Sequence, residues 1–359
     1  MKVAHIVEAF GSGIITFIKN LTDGIKCEHT IFYAQREIDI NELKKDFKYN
    51  VRFVSWKSAK REINIFNDVI ASIELYRFLK SDNYDVIHLH SSKAGAIGRV
   101  VGLFFPDKII LYTPNGASFA RKDITRLKIT LYKTIEYCSS LLCGQVICVS
   151  KSETQLFHSI GVKAITINNG IRIKSYEKKI RLGKRFSIVT IGRISTQKNP
   201  HLFNDIAKNL LHYPIDFIWV GDGELRSTLS SPNIKITGWI SSAEVEKYLS
   251  NSDLYISTSI WEGLPFAVLE AMNYRLPLLL NECVGNIDLV SNSINGYCFK
   301  TKNEALSHII NYLNDTSVLA FHGDNSYNKL LREFDTLSMC RNYSDIYRVL
   351  AKNLTMPTN

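Results

Sequence analysis

Short apolar runs alternate with longer amphipathic stretches through the first half of the chain. The apolar runs cover 3–8, 30–33, 51–54, 86–90 and 109–113, and helical periodicity lies between them at 14–25, 69–79 and 94–104. Strands and helices that alternate in series predict a parallel sheet with helices on both faces. The first half is therefore predicted to be a Rossmann-like domain.

The alternation stops at 171–186, a basic stretch with few apolar residues, and then starts again. Further strands are predicted at 187–191, 216–220, 234–237, 254–258 and 277–281, with helices at 200–210, 245–249 and 266–273. The predicted fold class is α/β, with doubly wound domains at 1–173 and 187–339 joined by a linker at 174–186. Because ligands of such sheets bind outside the carboxyl ends of the strands, we expect a site in a cleft where the two domains face each other.

Composition narrows the class of protein. Two domains fit 359 residues, since one domain usually spans about 100–200 residues. The longest apolar runs, at 100–105 and 276–280, are far below the roughly 18 residues of a membrane span, and the apolar start is too short for a signal peptide. Seven cysteines without a C-x-x-C pair favour a reducing compartment over a disulfide framework or a zinc site. We therefore expect a cytoplasmic protein.

Charge is uneven along the chain. The net charge is +10, and residues 1–183 carry 28 Lys and Arg against 17 Asp and Glu, whereas residues 184–359 are close to neutral. A one-sided positive field attracts the phosphates of nucleic acid, anionic lipid or a diphosphate substrate. The stretch at 119–133 interleaves five cations with apolar residues. Such a helix either binds a membrane surface or buries its apolar stripe in the core with its lysines in water.

The most informative segment runs from Trp261 to Glu270 and follows the predicted strand at 254–258. Its Gly and Pro residues force a sharp turn into a helix, whose first amides lack intrahelical partners. Free amides at a helix start bind phosphate, and Glu262 and Glu270 on either side of the turn can accept hydrogen bonds from hydroxyl groups. For an arbitrary pair of glutamates, a turn residue and a solvated helix residue would be the plainer interpretation.

At ten consecutive positions this segment resembles the E-x7-E signature of the family-4 retaining glycosyltransferases that build bacterial O-antigen and capsule. The segments at 191–200, 220–226 and 237–240 are similar to that family's loops for the donor diphosphate and the nucleobase. The resemblance covers essentially the whole chain and implies the GT-B fold. It implies donor contacts at Gly13, Gly192, Arg193, Lys198, Glu224, Trp239, Ile240, Glu262, Gly263, Leu264, Pro265, Phe266, Ala267, Val268 and Glu270.

The first predicted domain carries weaker signals. Gly11 and Gly13 follow the first strand, but Thr16 stands where a dinucleotide fingerprint needs a third glycine, which argues against a dehydrogenase. The segment at 88–95 resembles the HSSKAG segment of polysaccharide-synthesising members. That resemblance implies Gly11, His90 and Lys93 as acceptor or cleft residues.

Two features of the first predicted domain concern metal binding and proton transfer. His88 and His90 share one strand face, but no third metal ligand is evident from the sequence. Asn115 stands where related enzymes commonly have the His of TPHG. Asn can bond a sugar hydroxyl but cannot transfer a proton at neutral pH, and we place Asn115 in the site.

The resemblance implies a retaining transfer from a UDP-sugar, or less favoured a GDP-sugar, to a hydroxyl of a polyprenyl-diphosphate-linked glycan. The catalytic set is Glu262, Asn115, Arg193 and Lys198, with neither metal nor cofactor, because the two cations and the helix amides stabilise the leaving diphosphate. The enzyme is expected at the inner face of the plasma membrane, in peripheral contact with anionic lipid. A final helix at about 340–359 is expected to pack back on the first domain.

Two alternative functions are compatible with the same sequence. A sugar-nucleotide epimerase or a phosphorylase can share the fold, since fold does not fix function; an epimerase would change a nucleotide sugar with no acceptor present. A non-catalytic phosphate- or nucleic-acid-binding module would use the basic first half and bind DNA or RNA with steep salt dependence. The paired glutamates beside the phosphate turn disfavour nucleic acid as a partner.

Overall fold

The computed structural model describes residues 1–8, 10–34, 40–48, 50–60, 62–176 and 185–355. It divides into two compact units. Unit 1 comprises Met1–Ala120, Ile124–Asn169 and Thr336–Asn359, and unit 2 comprises Arg121–Asp123 and Gly170–Asp335. Much of the predicted linker, from 177 to 184, lies outside the described residues.

Strands and helices alternate in both units. The strands are β1 (Lys2–Val7), β2 (Glu28–Tyr33), β3 (Val51–Ser55), β4 (Val86–His90), β5 (Ile109–Thr113), β6 (Gln145–Cys148), β7 (Ala164–Thr166), β8 (Phe186–Ile191), β9 (Ile215–Val220), β10 (Ile234–Ile236), β11 (Leu254–Ser257), β12 (Leu278–Asn281) and β13 (Gly296–Phe299). The helices are α1 (Ser12–Gly24), α2 (Ile40–Lys45), α3 (Ile65–Lys80), α4 (Ser92–Gly102), α5 (Arg126–Ser140), α6 (Lys151–His158), α7 (Pro200–Asn209), α8 (Ser242–Ser250), α9 (Phe266–Asn273), α10 (Asn286–Leu289), α11 (Lys302–Asn314), α12 (Thr316–Glu333) and α13 (Thr336–Thr355).

Each unit is built on one parallel sheet. Unit 1 has the strand order β3-β2-β1-β4-β5-β6-β7, and unit 2 has the order β10-β9-β8-β11-β12-β13. The central strands β4 and β5 are buried at every position, as expected of mostly apolar strands in a sheet covered on both faces. Each unit encloses a hydrophobic core of its own. The predicted fold class, two Rossmann-like α/β domains, is confirmed.

Side-chain caps determine where several helices begin. Asn64 accepts a hydrogen bond from the Asn67 amide at 3.1 Å, so α3 starts at Ile65, four residues before the predicted start. Ser241 and Glu244 form a reciprocal capping box that starts α8. Such caps satisfy amides that the first turn leaves without partners.

The final helix belongs to unit 1. Helix α13 contacts α1, where the Cys340 thiol lies 3.3 Å from the carbonyl of Asn20. A β-carbon added at Gly24 would lie 2.4 Å from the Cys340 sulfur, so only glycine allows the two helices this approach. Among the helices of the described residues, none combines the length and the hydropathy that a bilayer span requires.

The basic stretch at 119–133 is not one helix. Ser118–Ala120 forms a single 3-10 turn that buries Phe119, and α5 begins only at Arg126. Ile129 and Tyr132 pack against the core of unit 1, whereas Leu127 is 80% exposed. The apolar residues of this stretch are therefore divided between core and solvent.

Candidate active site

The candidate site of unit 2 lies at the switch point of its sheet. From β8 the chain first adds β9 and β10 on one side, and then returns to add β11, β12 and β13 on the other. The loops after β8 and β11 therefore leave the sheet side by side and in opposite directions, which opens a crevice at the carboxyl edge. Lys198 follows β8 and Glu262 follows β11.

Lys198 and Glu262 form an ion pair within this crevice. The Lys198 Nζ to Glu262 Oε1 distance is 2.7 Å, and the side chains are only 19% and 9% exposed. The amide of Gln197 donates to Glu262 Oε2 at 3.3 Å and to the Trp261 carbonyl at 2.9 Å. Burial by itself lowers the pKa of Lys198, but the Glu262 carboxylate outweighs it and the pKa is raised. The ammonium group therefore stays charged at neutral pH.

Gly192 provides the space that the Lys198 side chain needs. Its φ is +145°, and a β-carbon at this position would lie 2.9 Å from Cε of Lys198. Its carbonyl accepts a 2.8 Å hydrogen bond from the Trp219 indole. The Thr258 hydroxyl donates to the Lys198 carbonyl at 2.7 Å, which fixes the loop from its other end. The lysine is thus held in place over its whole length.

The turn between the two glutamates is buried and leads directly into α9. Gly263, Leu264, Pro265 and Val268 are buried, and Phe266 and Ala267 are half-buried at the first turn of the helix. Pro265 precedes α9 without a side-chain cap, and the first turn has no acidic residue. The partial positive charge of the helix start is therefore available to an anion beside the Lys198–Glu262 pair.

Gly285 closes this turn from below. It has a φ of +84°, and a β-carbon there would lie 2.4 Å from the Gly263 carbonyl oxygen and 3.0 Å from Cβ of Glu262. The loop after β12 can therefore support the glutamate turn only with glycine at this position.

Arg193 and Glu224 pair with each other near this crevice. The Arg193 Nε to Glu224 Oε2 distance is 3.2 Å, and both side chains are more than half exposed. An exposed pair of this kind contributes little to stability, so Arg193 can exchange the carboxylate for a phosphate at small cost. Their two loops are joined by the backbone, because Ile194 donates its amide to the Asp222 carbonyl at 2.9 Å.

Trp239 and Ile240 follow the turn at Gly238, which has a φ of +73° and bridges to Gly221. The Trp239 side chain is 67% exposed and Ile240 is half-buried. An exposed indole next to a candidate phosphate site offers a flat apolar surface to a ring such as a nucleobase.

Glu270 lies one to two turns into α9 in an acidic environment. Burial is the main cause that raises its pKa to about 7, the Glu246 carboxylate raises it further, and Lys174 lowers it. Lys174 itself is paired with Glu246. Glu270 therefore titrates near neutral pH, unlike an ordinary glutamate.

In unit 1, Asn115 occupies a strained turn at the end of β5. Its φ is +55° and that of Gly116 is +107°. The turn is held by the buried carboxylate of Glu153, which accepts hydrogen bonds from the amides of Gly116 at 2.8 Å and Val149 at 2.9 Å. Burial raises the pKa of Glu153 to about 7, against the opposing effect of these backbone donors. Asn115 itself is half-buried, with its amide directed at the Thr113 carbonyl.

A chain of buried histidines crosses the sheet of unit 1. His29 Nε2 donates to the Ile25 carbonyl at 3.0 Å, His5 Nε2 then donates to His29 Nδ1 at 3.1 Å, and His90 Nε2 donates to His5 Nδ1 at 3.0 Å. The carbonyl can only accept, so it determines this tautomer order. His90 Nδ1 is left buried and without a partner among the described residues.

This chain corrects two expectations. His90 was expected at a cleft, but its ring is 0% exposed and therefore belongs to the core. It can be buried there because its polar Nε2 bonds to His5, which in turn bonds to His29. His5 also supplies the third ring that the sequence did not show, with ligand nitrogens of His5, His88 and His90 within 4.8 Å of one another.

The buried histidine rings are neutral and hydrogen-bonded. His88 is bonded on both nitrogens, to the Tyr347 hydroxyl at 2.9 Å and to the Thr113 hydroxyl at 2.8 Å. Burial lowers the pKa of His88 to about 3, and it holds the pKa of His5 and His90 well below the usual range. The rings are therefore neutral.

The other residues expected at the site in unit 1 are Lys93, Gly11 and Gly13, of which Lys93 makes structural contacts. Lys93 Nζ lies 2.7 Å from Asp68 of α3 and also donates to the carbonyls of Lys60 and Glu62. Lys93 therefore ties α4 to the loop before α3. Gly11 precedes α1 with an extended backbone, and a β-carbon there would meet nothing within 4 Å. Gly13 is exposed in the first turn of α1.

Sequence reasoning missed several residues that build this site. Gln197 and Thr258 position Lys198 and Glu262, and Gly285 supports their turn. Arg121 belongs to unit 2, where its guanidinium lies 5.6 Å from the centre of the Trp261 ring. Gln197 lies inside the 191–200 segment and Thr258 lies three residues before the 261–270 segment, so both could have been noticed, whereas Gly285 and Arg121 lie outside the motifs.

Comparison with known proteins matches the two halves of the chain to two family models. Residues 17–175 match Glycosyltransferase Family 4, and residues 172–327 match Glycosyl transferases group 1. A similar solved structure is HepE of Anabaena in complex with UDP, with a TM-score of 0.78 at 15% identity over 97% of this chain and 100% of that one. At this identity the likeness establishes the fold alone.

Two curated relatives extend over most of the chain. A UDP-Gal:alpha-D-GlcNAc-diphosphoundecaprenol alpha-1,3-galactosyltransferase of Escherichia coli is 28% identical over 80% of this chain and 81% of its own length. An N,N'-diacetylbacillosaminyl-diphospho-undecaprenol alpha-1,3-N-acetylgalactosaminyltransferase of Campylobacter jejuni is 22% identical over 85% and 87%. Other relatives are named for O-antigen and capsule biosynthesis. The chain belongs to the glycosyltransferases that join a Glycosyltransferase Family 4 domain to a group 1 domain on the GT-B fold.

Proposed function

We propose that this glycosyltransferase moves a hexosyl or N-acetylhexosaminyl group from a UDP-sugar to a hydroxyl of a polyprenyl-diphosphate-linked glycan, with retention of configuration. The name of one relative specifies UDP-Gal as donor, and the names of both relatives specify a diphospho-undecaprenol-linked sugar. The observation that carries the proposal is the Lys198–Glu262 pair, 2.7 Å apart beside the uncapped start of α9. In this proposal the ammonium of Lys198 is the cation that stabilises the charge gained by the leaving diphosphate.

Electrostatic stabilisation of the diphosphate is the central step. As the bond between the sugar and the diphosphate breaks, negative charge grows on the phosphate oxygens, and Lys198, Arg193 and the first amides of α9 can share it. Each charge-assisted hydrogen bond of this kind is typically worth about 1.5–3 kcal/mol. We propose that these groups take the place of a metal ion, so that EDTA leaves the rate unchanged.

In this proposal the carboxylates of Glu262 and Glu270 and the indole of Trp239 position the donor. Glu262 pairs with the ammonium of Lys198 and orients the sugar. Glu270 accepts hydrogen bonds from the ribose hydroxyls, and the Trp239 indole packs on the base. Because Glu262 is already paired with Lys198, it is a poor candidate for a covalent nucleophile. Retention then requires attack from the same face as the leaving group, with a diphosphate oxygen taking the proton of the acceptor hydroxyl.

The experiment is a thermal-shift titration of wild type and Glu270→Ala with UDP, GDP and ADP in EDTA. A ligand at 100 times its Kd adds about 2.7 kcal/mol of stability. We expect a shift with UDP that Glu270→Ala loses. A rise in melting temperature with GDP alone would mean that the donor is a GDP-sugar. The absence of a rise with any nucleotide would overturn the assignment of the donor site.

A second measurement separates transfer from the rival activities. NMR of the product formed from UDP-galactose and a short polyprenyl-diphosphate glycan reports the anomeric configuration directly. An inverted product would refute retention. Conversion of the nucleotide sugar without acceptor would indicate an epimerase, and tight, salt-dependent binding of RNA without transfer would indicate a nucleic-acid module.

A further inference from the structure

Helix α3 presents a continuous apolar face to solvent. The residues of this face are far more exposed than large apolar side chains usually are, at 83% for Ile65, 75% for Phe66, 52% for Val69, 40% for Ile70 and 48% for Ile73. Their spacing of one, three and four residues places them on one side of the helix. Single exposed apolar residues are ordinary, but a contiguous set on one element marks an interaction surface.

The opposite side of the same helix already serves the core. Ala71, Leu75 and Leu79 are buried against the sheet of unit 1. Helix α3 thus has apolar residues on two sides, of which only one packs in the core of unit 1. The exposed face is therefore not needed for folding of unit 1, and it requires another explanation.

Contacts on three sides hold this face in a fixed position. The Trp56 indole donates to the Ala71 carbonyl at 3.0 Å, and the Glu74 carboxylate accepts the amides of Lys57 at 3.2 Å and Ser58 at 2.8 Å. Lys93 ties the first turn of α3 to the start of α4 through Asp68. The apolar residues are thus presented on a rigid scaffold near the carboxyl edge of the sheet.

Charge around the face indicates what covers it. Lys57 and Lys60 are exposed in the preceding loop, and Arg77 and Lys80 are exposed at the end of the helix. Residues 1–183 carry a surplus of 11 positive charges, so a second copy of the chain would bring like charges together. The face is the exposed side of one helix, and a fluid bilayer can cover such a surface without a matching pocket. Anionic headgroups complement the flanking cations.

We infer that the α3 face is a membrane-docking surface, which inserts Ile65, Phe66 and Val69 below anionic headgroups that Lys57, Lys60, Arg77 and Lys80 contact. This inference rests on the proposed function in one respect: an enzyme whose acceptor is linked to a lipid must meet that acceptor at a bilayer. This surface differs from the stretch at 119–133, for which the sequence left membrane binding open as one of two alternatives.

Sedimentation with vesicles tests this surface without donor or acceptor. Wild type should bind vesicles of phosphatidylcholine and phosphatidylglycerol at 3:1, and should bind pure phosphatidylcholine at least tenfold more weakly. The double variant Ile65→Ser/Phe66→Ser should bind the anionic vesicles at least tenfold more weakly than wild type. Leu141→Ser, which removes a 69% exposed leucine at the end of α5, is the matched control and should bind as wild type.

Three results would overturn the inference. They are wild-type binding by the double variant, loss of binding in Leu127→Ser instead, and a wild-type dimer in light scattering that the double variant abolishes without any vesicle binding. The double variant should retain its melting temperature and its rate on a water-soluble short-chain acceptor. If no transfer occurs with any acceptor while the vesicle results are as expected, the proposed function fails and the docking surface stands.

Discussion

Replacing Lys198 by Met removes the ammonium from the centre of the candidate site and keeps most of its unbranched stem. In the wild type, Nζ lies 2.7 Å from Glu262 Oε1, and the two side chains are 19% and 9% exposed. The substitution leaves a buried carboxylate whose remaining side-chain donor is Gln197 at 3.3 Å. Breaking a buried pair by removing one partner typically costs about 3–5 kcal/mol, and the residual donor places the expected loss near the lower end.

The same substitution should lower transfer for a separate reason. The loss of one charge-assisted bond to the leaving diphosphate, about 1.5–3 kcal/mol, corresponds to a fall in kcat of roughly 10- to 150-fold at 1.36 kcal/mol per decade. The two effects can be separated with the double variant Lys198→Met/Glu262→Gln. It removes the stranded charge, so the free energy of unfolding should recover while kcat stays low.

Urea denaturation and initial-rate measurements on the same preparations provide the two readouts. Lys300→Met is the matched control, because Lys300 pairs with Glu282 at 3.4 Å on the surface with both side chains well exposed, and such pairs contribute about 0–1 kcal/mol. The reasoning is refuted if Lys198→Met transfers sugar at the wild-type rate. It is also refuted if the double variant recovers kcat together with stability, since Lys198 would then have only a structural role.

Further predictions concern pH and space. Burial, followed by the Glu246 carboxylate, raises the pKa of Glu270 to about 7, so UDP affinity by calorimetry should rise from pH 6 to 8 in the wild type and be flat in Glu270→Gln; equal slopes would exclude Glu270 from the ribose site. Burial raises the pKa of Glu153 from 4.5 to about 7, so the folded protein favours the protonated carboxyl group. The stability that this group contributes is present below about pH 4.5 and is lost as pH rises through 7, where the buried carboxylate ionises. In urea denaturation, Glu153→Gln should therefore show a smaller fall in stability between pH 5 and 8, and parallel curves for the two proteins would contradict this. Gly192→Ala should weaken UDP binding at least tenfold because its β-carbon would lie 2.9 Å from Cε of Lys198, whereas Gly11→Ala should bind normally; equal affinities would show that Lys198 is free to move aside.

The β/α alternation predicted the fold well because it depends on neighbouring residues. Runs such as 86–90 and 109–113 coincide with β4 and β5, since a strand buried on both faces is mostly apolar. The elements that were not predicted include the short strands β6, β7 and β13. Three or four apolar residues do not distinguish a strand from a buried helical turn.

The sequence named the candidate donor residues, but it did not show their contacts with one another. Lys198 and Glu262 are 64 residues apart, and the motifs named both without showing that they form one ion pair. Glu270 was expected to accept ribose hydroxyls, but its neighbours Glu246 and Lys174, which bring its pKa to about 7, come from other parts of the chain. A pKa depends on everything within a few ångströms in space.

The sequence by itself determined the two parallel sheets and the turn from Trp261 to Glu270, because periodicity, glycine and proline act over a few residues. The glycosyltransferase family came from the resemblance of its motifs to those of known members. Tertiary structure alone decided that His90 is enclosed with His5 and His29, that Lys93 binds Asp68, and that α3 leaves one apolar face uncovered. Periodicity shows that a residue is apolar and on which side of a helix it lies. Whether another element covers that side depends on the packing of distant segments, which no local pattern contains.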